Sequence, residues 1–261
     1  MPRLLISKGK KTYVEELKRE VTVLKPKEYT VHDTSKDFST TYGVIAKKDL
    51  KKKDGSKIQT SMHKEFIILT PGFSDTFRRL KKTPQAIMLK DAGIIAAETG
   101  IGKESTVLDA GTGSGWLSCY LAHICKKVVT YDINQEFQDV AKKNADILGL
   151  TNISFKKGSV YEKISEKNMD VIILDLPEPW RALPHAVNAI KIGGWLVSYS
   201  PSVPQVQSFC NTARAHEEIL LGKTIEIVER SWKVEGDAVH PKSISIGHTA
   251  FITFCRKITT T

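Results

Sequence analysis

The chain has 261 residues, with 39 Lys and Arg against 29 Asp and Glu, a formal net charge of +10 and a pI near 9.3. That length holds one large domain, or a large one and a small one, and a basic balance speaks to partners rather than to fold. No apolar stretch reaches membrane-spanning length and "MPRLLISKGKKTYVEEL" has no signal-like apolar run, so a cytoplasmic protein without membrane attachment is expected. The four cysteines (Cys119, Cys125, Cys210, Cys255) form no CxxC pair, which argues against zinc and thioredoxin chemistry, and no metal site is expected.

From Leu4 to about Pro71 short apolar runs alternate with turn signals: "KTYVEEL", "EYTVHD", "YGVIAKK", "KKDGSK" and "EFIILTPGF". Lys53-Asp54-Gly55, with Ile45 before it and Ile58 after it, reads as a hairpin turn. Residues 1–75 are therefore expected to form a small β-rich domain. Its runs "SKGKK" and "AKKDLKKKDGSK", with the following "RRLKK", suit either a solvated surface or contact with nucleic acid. The stretch "FSDTFRRLKKTPQAIML" is expected to be a helical, basic linker.

From Leu89 the texture changes. "KDAGIIAAETGI" reads as a helix and "STVLDAGTGSGWLSCYLAHIC" as strand, glycine turn and helix. "KVVTYDIN" is a strand, "QEFQDVAKKNADILGL" an amphipathic helix and "ISFKKGSV" a strand. "DVIILDLPEPW" is another strand, "RALPHAVNAIKIGG" a helix, "WLVSYSP" a strand and "PQVQSFCNTARAH" a helix. Two last strands, around "EIVERSWKV" and "HTAFITFCRK", follow without a helix between them. The alternation predicts a doubly wound parallel α/β sheet over 76–261, closed at one edge by an antiparallel hairpin.

Between the first strand and helix of that sheet stand Gly111, Gly113 and Gly115, where the backbone can turn tightly and approach a ligand. The plain alternative is a tight turn with nothing bound. The dinucleotide fingerprint needs its third glycine one residue later, where this chain has Trp116. Asp109 precedes the turn and could orient it through backbone amides. Asp132 ends the next strand, at the place where an acid can hold a ribose diol. Together these fit S-adenosylmethionine better than a pyrophosphate. "FKKGSV" would flank an adenine ring, with Ser159 at that edge and Val160 and Ile133 as apolar walls.

"VIILDLPEPW" runs from a buried strand into Asp175, with Pro177 and Pro179 stiffening the loop and Trp180 offering a flat face for a base. The segments "TPQAIMLKDAG", "VLDAGTGSGWL", "DLPEPW", "LVSYSPSVPQV", "RSW" and "HPKSISIGHTAF" together resemble the tRNA (adenine-N1)-methyltransferase family that modifies the T-loop adenine. The likeness spans about residues 80–257. It implies a class I (Rossmann-like) methyltransferase sheet behind a small N-terminal β-rich domain that contacts RNA. It also implies S-adenosyl-L-methionine as cofactor, tRNA as partner and a homotetramer. The reaction implied is methylation at adenine N1 of position 58, with position 57 as a further target.

Carried over by position, the resemblance assigns Gly111, Thr112, Gly113, Ser114, Gly115, Trp116 and Leu117 to the cofactor's methionine part and Asp132 to its ribose. Asp175 goes to the cofactor's amino end and, as the catalytic group, to the target adenine. Gln85, Pro177, Trp180 and Tyr199 fall on the substrate side. The family usually has an aromatic residue or His where this chain has Met88, and Pro where it has Leu89, while Gln85, Lys90 and Asp91 match. Trp180 is then the candidate stacking partner of the base. Three other readings stay open: a methyltransferase for a protein or small molecule, a non-catalytic RNA-binding subunit, and an NAD-dependent dehydrogenase. His240 and His248, without metal-ligand spacing, are expected to serve packing or subunit contact.

Overall fold

The computed structural model describes residues 2–83, 86–235, 238–244 and 246–260. The chain divides into two compact units, Met1–Arg79 and Leu80–Thr261. The first holds strands β1 (Arg3–Ser7), β2 (Lys10–Val14), β3 (Arg19–Leu24), β4 (Lys27–Val31), β5 (Phe38–Thr40), β6 (Gly43–Ile45), β7 (Lys57–Gln59) and β8 (Glu65–Leu69), then the short helix α1 (Phe73–Phe77). Four strands form an antiparallel sheet in the order β4-β1-β8-β7, and β2–β3 and β5–β6 are separate two-stranded ribbons. Leu5, Val31, Ile45, Leu50, Ile58, Phe66 and Ile68 make its core.

Two expectations fail in this region. Ile45 and Ile58 both reach that core, but β6 pairs with β5 and β7 with β8, so the turn at Ser56 does not join paired strands. Among the described residues of the expected linker helix, whose residues 84 and 85 lie outside them, only Leu89 at its end and the five of α1 are helical. Beyond it, both backbone groups of Lys81 are held by the Asn144 side chain, at 3.2 Å (N–H to Oδ1) and 2.8 Å (O from Nδ2), and are not free for a helical ladder.

The second unit comprises α2 (Leu89–Thr99), β9 (Thr106–Ala110), α3 (Trp116–Ile124), β10 (Lys127–Asp132), α4 (Gln135–Leu148), β11 (Ile153–Lys157), β12 (Met169–Leu174), α5 (Pro179–Ala189), β13 (Ile190–Ser200), α6 (Val203–Arg214), β14 (Ile219–Glu226), β15 (Trp232–Glu235), β16 (Ala238–Pro241) and β17 (Phe251–Lys257). Seven strands lie in the order β11-β10-β9-β12-β13-β17-β14. The pairs from β11 to β13 are parallel, and β17 runs antiparallel between β13 and β14.

Central strands covered on both faces need apolar residues on both. Successive side chains divide accordingly. Leu108, Ile172 and Leu196 pack with Leu183, Val187 and Phe209 of α5 and α6. Val107, Val171, Ile173 and Val197 pack with Ile95, Leu117 and Leu121 of α2 and α3. The strand expected across Glu226–Val234 is instead the last residue of β14 and the separate β15–β16 hairpin. The expected helix tail "IKIGG" belongs to β13.

Candidate active site

The glycine loop leaves β9 at the carboxyl edge of the sheet and enters α3 at Trp116. Gly113 and Gly115 have φ +51° and +75°, a region that favours glycine. A Cβ on Gly115 would also lie 2.7 Å from Ala141 Cβ on α4, so this glycine lets α3 and α4 pack closely. Thr112 N–H donates to Tyr131 O (2.9 Å) and Gly111 N–H to Asp175 O (3.3 Å), tying the loop to the ends of β10 and β12. Asn144 on α4 donates to Ser114 O at 2.8 Å. The buried Ser114 hydroxyl has no partner among the described residues. The side chains of Trp116 and Leu117 are buried, so only the helix's first-turn backbone there can serve a ligand. The Lys82 ammonium lies 3.8 Å from the Trp116 ring centre.

Asp132 accepts from Gly113 N–H (2.9 Å) on Oδ2 and from Asn134 N–H (2.8 Å) on Oδ1, which fixes its carboxylate against the loop. Asp109 does not hold loop amides as expected. Its Oδ2 accepts from the hydroxyls of Ser118 and Thr130 beneath the loop. Burial, reinforced by the nearby Asp132 charge, pushes the Asp109 carboxyl up to about 7. On the adenine side Ile133 is 71% exposed. Val160 instead packs into the core cluster beside Ala110 and Leu174, so the two expected walls do not form a closed slot. Ser159 accepts from Tyr161 N–H at 3.2 Å, and its carbonyl accepts from Glu162 and Lys163.

Asp175 follows β12, and its backbone pairs with Ala110 and Gly111. The loop after it is clamped on two sides. Gln205 Nε2 donates to Pro177 O (2.9 Å), and the Tyr161 hydroxyl accepts from Glu178 N–H (3.1 Å). Gln205 is in turn held by Ser202 N–H and Oγ, the capping box that opens α6. The loop borders a cavity of about 430 Å³ whose walls include Met88, Asp175, Pro177, Tyr199, Gln205 and Thr249. Enclosure by protein, with Asp109 nearby, pushes the Asp175 carboxyl up to about 8.

Trp180 is not among the wall residues. Its half-buried ring packs against the core cluster under α5, while Met88, Ala86 and Leu176 are among the apolar residues of the wall. Gln85 lies outside the described residues.

Behind Tyr199 sits a buried polar cluster. The Tyr199 hydroxyl donates to Asp91 Oδ2 (3.1 Å), as does Thr249 Oγ1 (2.9 Å). Lys90 Nζ donates to Asp91 Oδ1, Thr249 Oγ1 and Ile227 O at 2.7–2.8 Å. His248 faces Glu226 Oε1 (2.5 Å) with Nδ1 and Pro201 O (2.9 Å) with Nε2, and its pKa is raised by both contacts. Gln205 and Thr249 were not singled out from the sequence as site residues. Ser202-x-x-Gln205 carries a capping signature that could have found the first, whereas nothing local marks the second.

Comparison with known proteins identifies the chain's family and fold. The family model for the tRNA methyltransferase complex GCD14 subunit matches residues 66–245. The chain is 34% identical to a tRNA (adenine(57)-N(1)/adenine(58)-N(1))-methyltransferase TrmI of Methanocaldococcus jannaschii, covering 88% of this chain and 91% of that one. It is 30% identical to a tRNA (adenine(58)-N(1))-methyltransferase TrmI of Thermus thermophilus, over 78% and 81%. Among solved structures, a SAM-dependent O-methyltransferase of Thermotoga maritima superposes with TM-score 0.81 at 26% identity over 99% and 94% of the two chains. A tRNA (m1A58) methyltransferase TrmI of Aquifex aeolicus gives 0.76 at 23% identity over 99% and 97%, which speaks to the fold. With its fold, its acid-lined loop and these likenesses agreeing, the chain belongs to the tRNA methyltransferase complex GCD14 subunit family.

Proposed function

We infer that this protein transfers a methyl group from S-adenosylmethionine to N1 of a T-loop adenine in tRNA. The observation that carries the reading is Asp175, held at the junction of the glycine loop and the cavity. The residues present suit this cofactor. Asp109, Asp132 and Asp175 meet near the loop, and burial has driven two of them toward protonation, a penalty that a cationic ligand relieves. S-adenosylmethionine supplies an electrophilic methyl group on a cationic sulfur. The loop from Gly111 to Leu117, with Asp132, would hold its methionine and ribose parts, and Ile133 and Ser159, with Val160 packed in the core, would flank the adenine end.

Adenine N1 carries a free lone pair at neutral pH, so no general base is needed. The protein's task is proximity and charge placement. Methylation leaves a positive charge on the base. An ionised Asp175 accepting from the exocyclic amine stabilises that charge as it grows. Pro177 and Tyr199 border the space a flipped adenine would enter.

Removing the carboxylate by Asp175→Ala is expected to lower turnover by on the order of a hundredfold. Nucleoside mass spectrometry on unmodified tRNA, with wild type and variant in parallel, checks it. A 1-methyladenosine peak lost in the variant supports reaction and residue together, and mapping the peak decides between positions 57 and 58. A protein that binds S-adenosylmethionine yet methylates no tRNA would overturn the substrate.

The same reading makes residues 1–75 the RNA-contacting part and 76–261 the catalytic part of a cytoplasmic homotetramer. Support for assembly comes from the resemblance and from the exposed Trp232, Val234 and Val239 on one face of the β15–β16 hairpin, since two lone strands are marginal in water. Light scattering on the purified protein tests it.

A further inference from the structure

Among the described residues, Lys90 and Asp91 make no side-chain hydrogen bond to the glycine loop or the Asp175 loop, yet they form the most enclosed ion pair, with side chains 8% and 0% exposed. Asp91 stands in the first turn of α2, whose N-cap is Met88, a wall of the cavity. All three ammonium hydrogens of Lys90 have acceptors: Asp91 Oδ1, Thr249 Oγ1 and Ile227 O. An ammonium only donates and a carboxylate only accepts, so the hydroxyls between them have fixed directions. Thr249 accepts from Lys90 and donates to Asp91. Tyr199, whose pKa is raised by burial and by the charge of Asp91, also donates to Asp91.

Resting on the adenine reading above, we propose that Lys90 and Asp91 are positioning residues that lock Tyr199 and Thr249 as acceptor-only walls of the base pocket and so favour a 6-amino purine over a 6-oxo one. With its hydrogen committed to Asp91, the Tyr199 oxygen can offer an incoming group only lone pairs. The ionised Asp175 carboxylate also offers only lone pairs. An exocyclic amine meets this wall with donors. A 6-oxo group meets it lone pair against lone pair and leaves buried polar atoms unpaired, the arrangement that discriminates most strongly. The pair also explains why one cluster joins four distant parts of the chain: the start of α2, the end of β13, the segment after β14 and the segment before β17.

The test uses the full-length protein with two in vitro transcribed tRNAs, one bearing adenosine and one bearing purine riboside at the target position. The riboside keeps N1 but lacks the amine. Wild type is expected to prefer adenosine in kcat/KM. In Tyr199→Phe, which keeps the ring, and in Asp91→Asn, which keeps the shape, that preference should shrink by about three- to tenfold. Affinity for S-adenosylhomocysteine, measured by calorimetry, should stay within about twofold of wild type. A merely structural role would lower activity on both tRNAs equally, and an unchanged preference in Tyr199→Phe overturns the proposal. If Asp91→Asn fails to fold, Tyr199→Phe and Thr249→Val carry the test alone. If wild type methylates neither tRNA, the adenine reading itself fails, which is a different result.

Discussion

At the scale of single residues, the carboxyls beneath and beside the glycine loop give the site its pH behaviour. In the unfolded chain both titrate near 3.8, whereas in the folded protein burial places Asp109 at about 7 and Asp175 at about 8. Between those limits the folded state holds more protons than the unfolded one. Stability of the free protein is therefore expected to fall as pH rises from about 4 to about 8. A cation bound beside the loop favours the ionised forms, so cofactor binding should expel protons below about pH 8 and should tighten as pH rises toward it. Calorimetry of S-adenosylmethionine binding at about pH 6.5, in two buffers of different ionisation enthalpy, counts those protons. Asp175→Asn should remove most of the release, and binding without proton release in the wild type would contradict the assignment.

At the scale of elements, Gly113 and Gly115 of the loop, both at positive φ, do different work, and substitution separates them. Gly115→Ala adds a Cβ 2.7 Å from Ala141 Cβ at φ +75°, so strain and overpacking of α3 on α4 act together, at a cost of roughly 2–4 kcal/mol. Gly113→Ala meets nothing closer than Thr83 Oγ1 at 3.5 Å, and only its φ of +51° is penalised, by roughly 1 kcal/mol. Thermal melts should rank wild type, Gly113→Ala and Gly115→Ala in descending order. Equal melting temperatures for the two variants would remove the packing role. The strand–turn–helix at these glycines was legible in the sequence because its cause is local: an apolar run buried on both faces, then residues that can turn. The ends of β9 and β10 were legible for the same reason, and so were the positions of Asp132 and Asp175, although the strand read through "DVIILDLPEPW" stops at Leu174. Pairing partners were not, since Ile45 and Ile58 share a core without sharing a hairpin. Nor were the clamps. Gln205 meets Pro177 across 28 residues, and Thr249 meets Asp91 across 158, so no spacing rule reaches them. Trp180 is ambiguous in the sequence because an aromatic after a proline-rich loop fits a stacking face and a helix side packed on the core equally well.

At the scale of the molecule, charge and catalytic geometry are separated along the chain. The first 79 residues carry 18 Lys and Arg against 10 Asp and Glu, eight of the ten net positive charges, while the unit holding the glycine loop and Asp175 carries 21 against 19. An acid-lined pocket suits a cationic cofactor and a base that becomes cationic, whereas the tRNA backbone demands the opposite sign. Placing the two demands in different units lets each be met without weakening the other. The turn after β6 concentrates the basic side, with Lys47, Lys48, Lys51 and Lys53 all exposed around the buried Leu50. Changing these four lysines to Gln is expected to weaken tRNA binding and to flatten the plot of log affinity against log salt by about 0.7–0.9 for each phosphate that is no longer neutralised. The methylation rate at saturating tRNA should be unchanged. The same number of charges removed at the amino-terminal edge of the seven-stranded sheet (Lys103, Lys126, Lys127 and Lys167) should leave the slope as it was. Filter binding at several salt concentrations distinguishes the two sets. Equal slopes for both would mean that tRNA is held by the catalytic unit, and that the basic run after β6 is only a solvated surface.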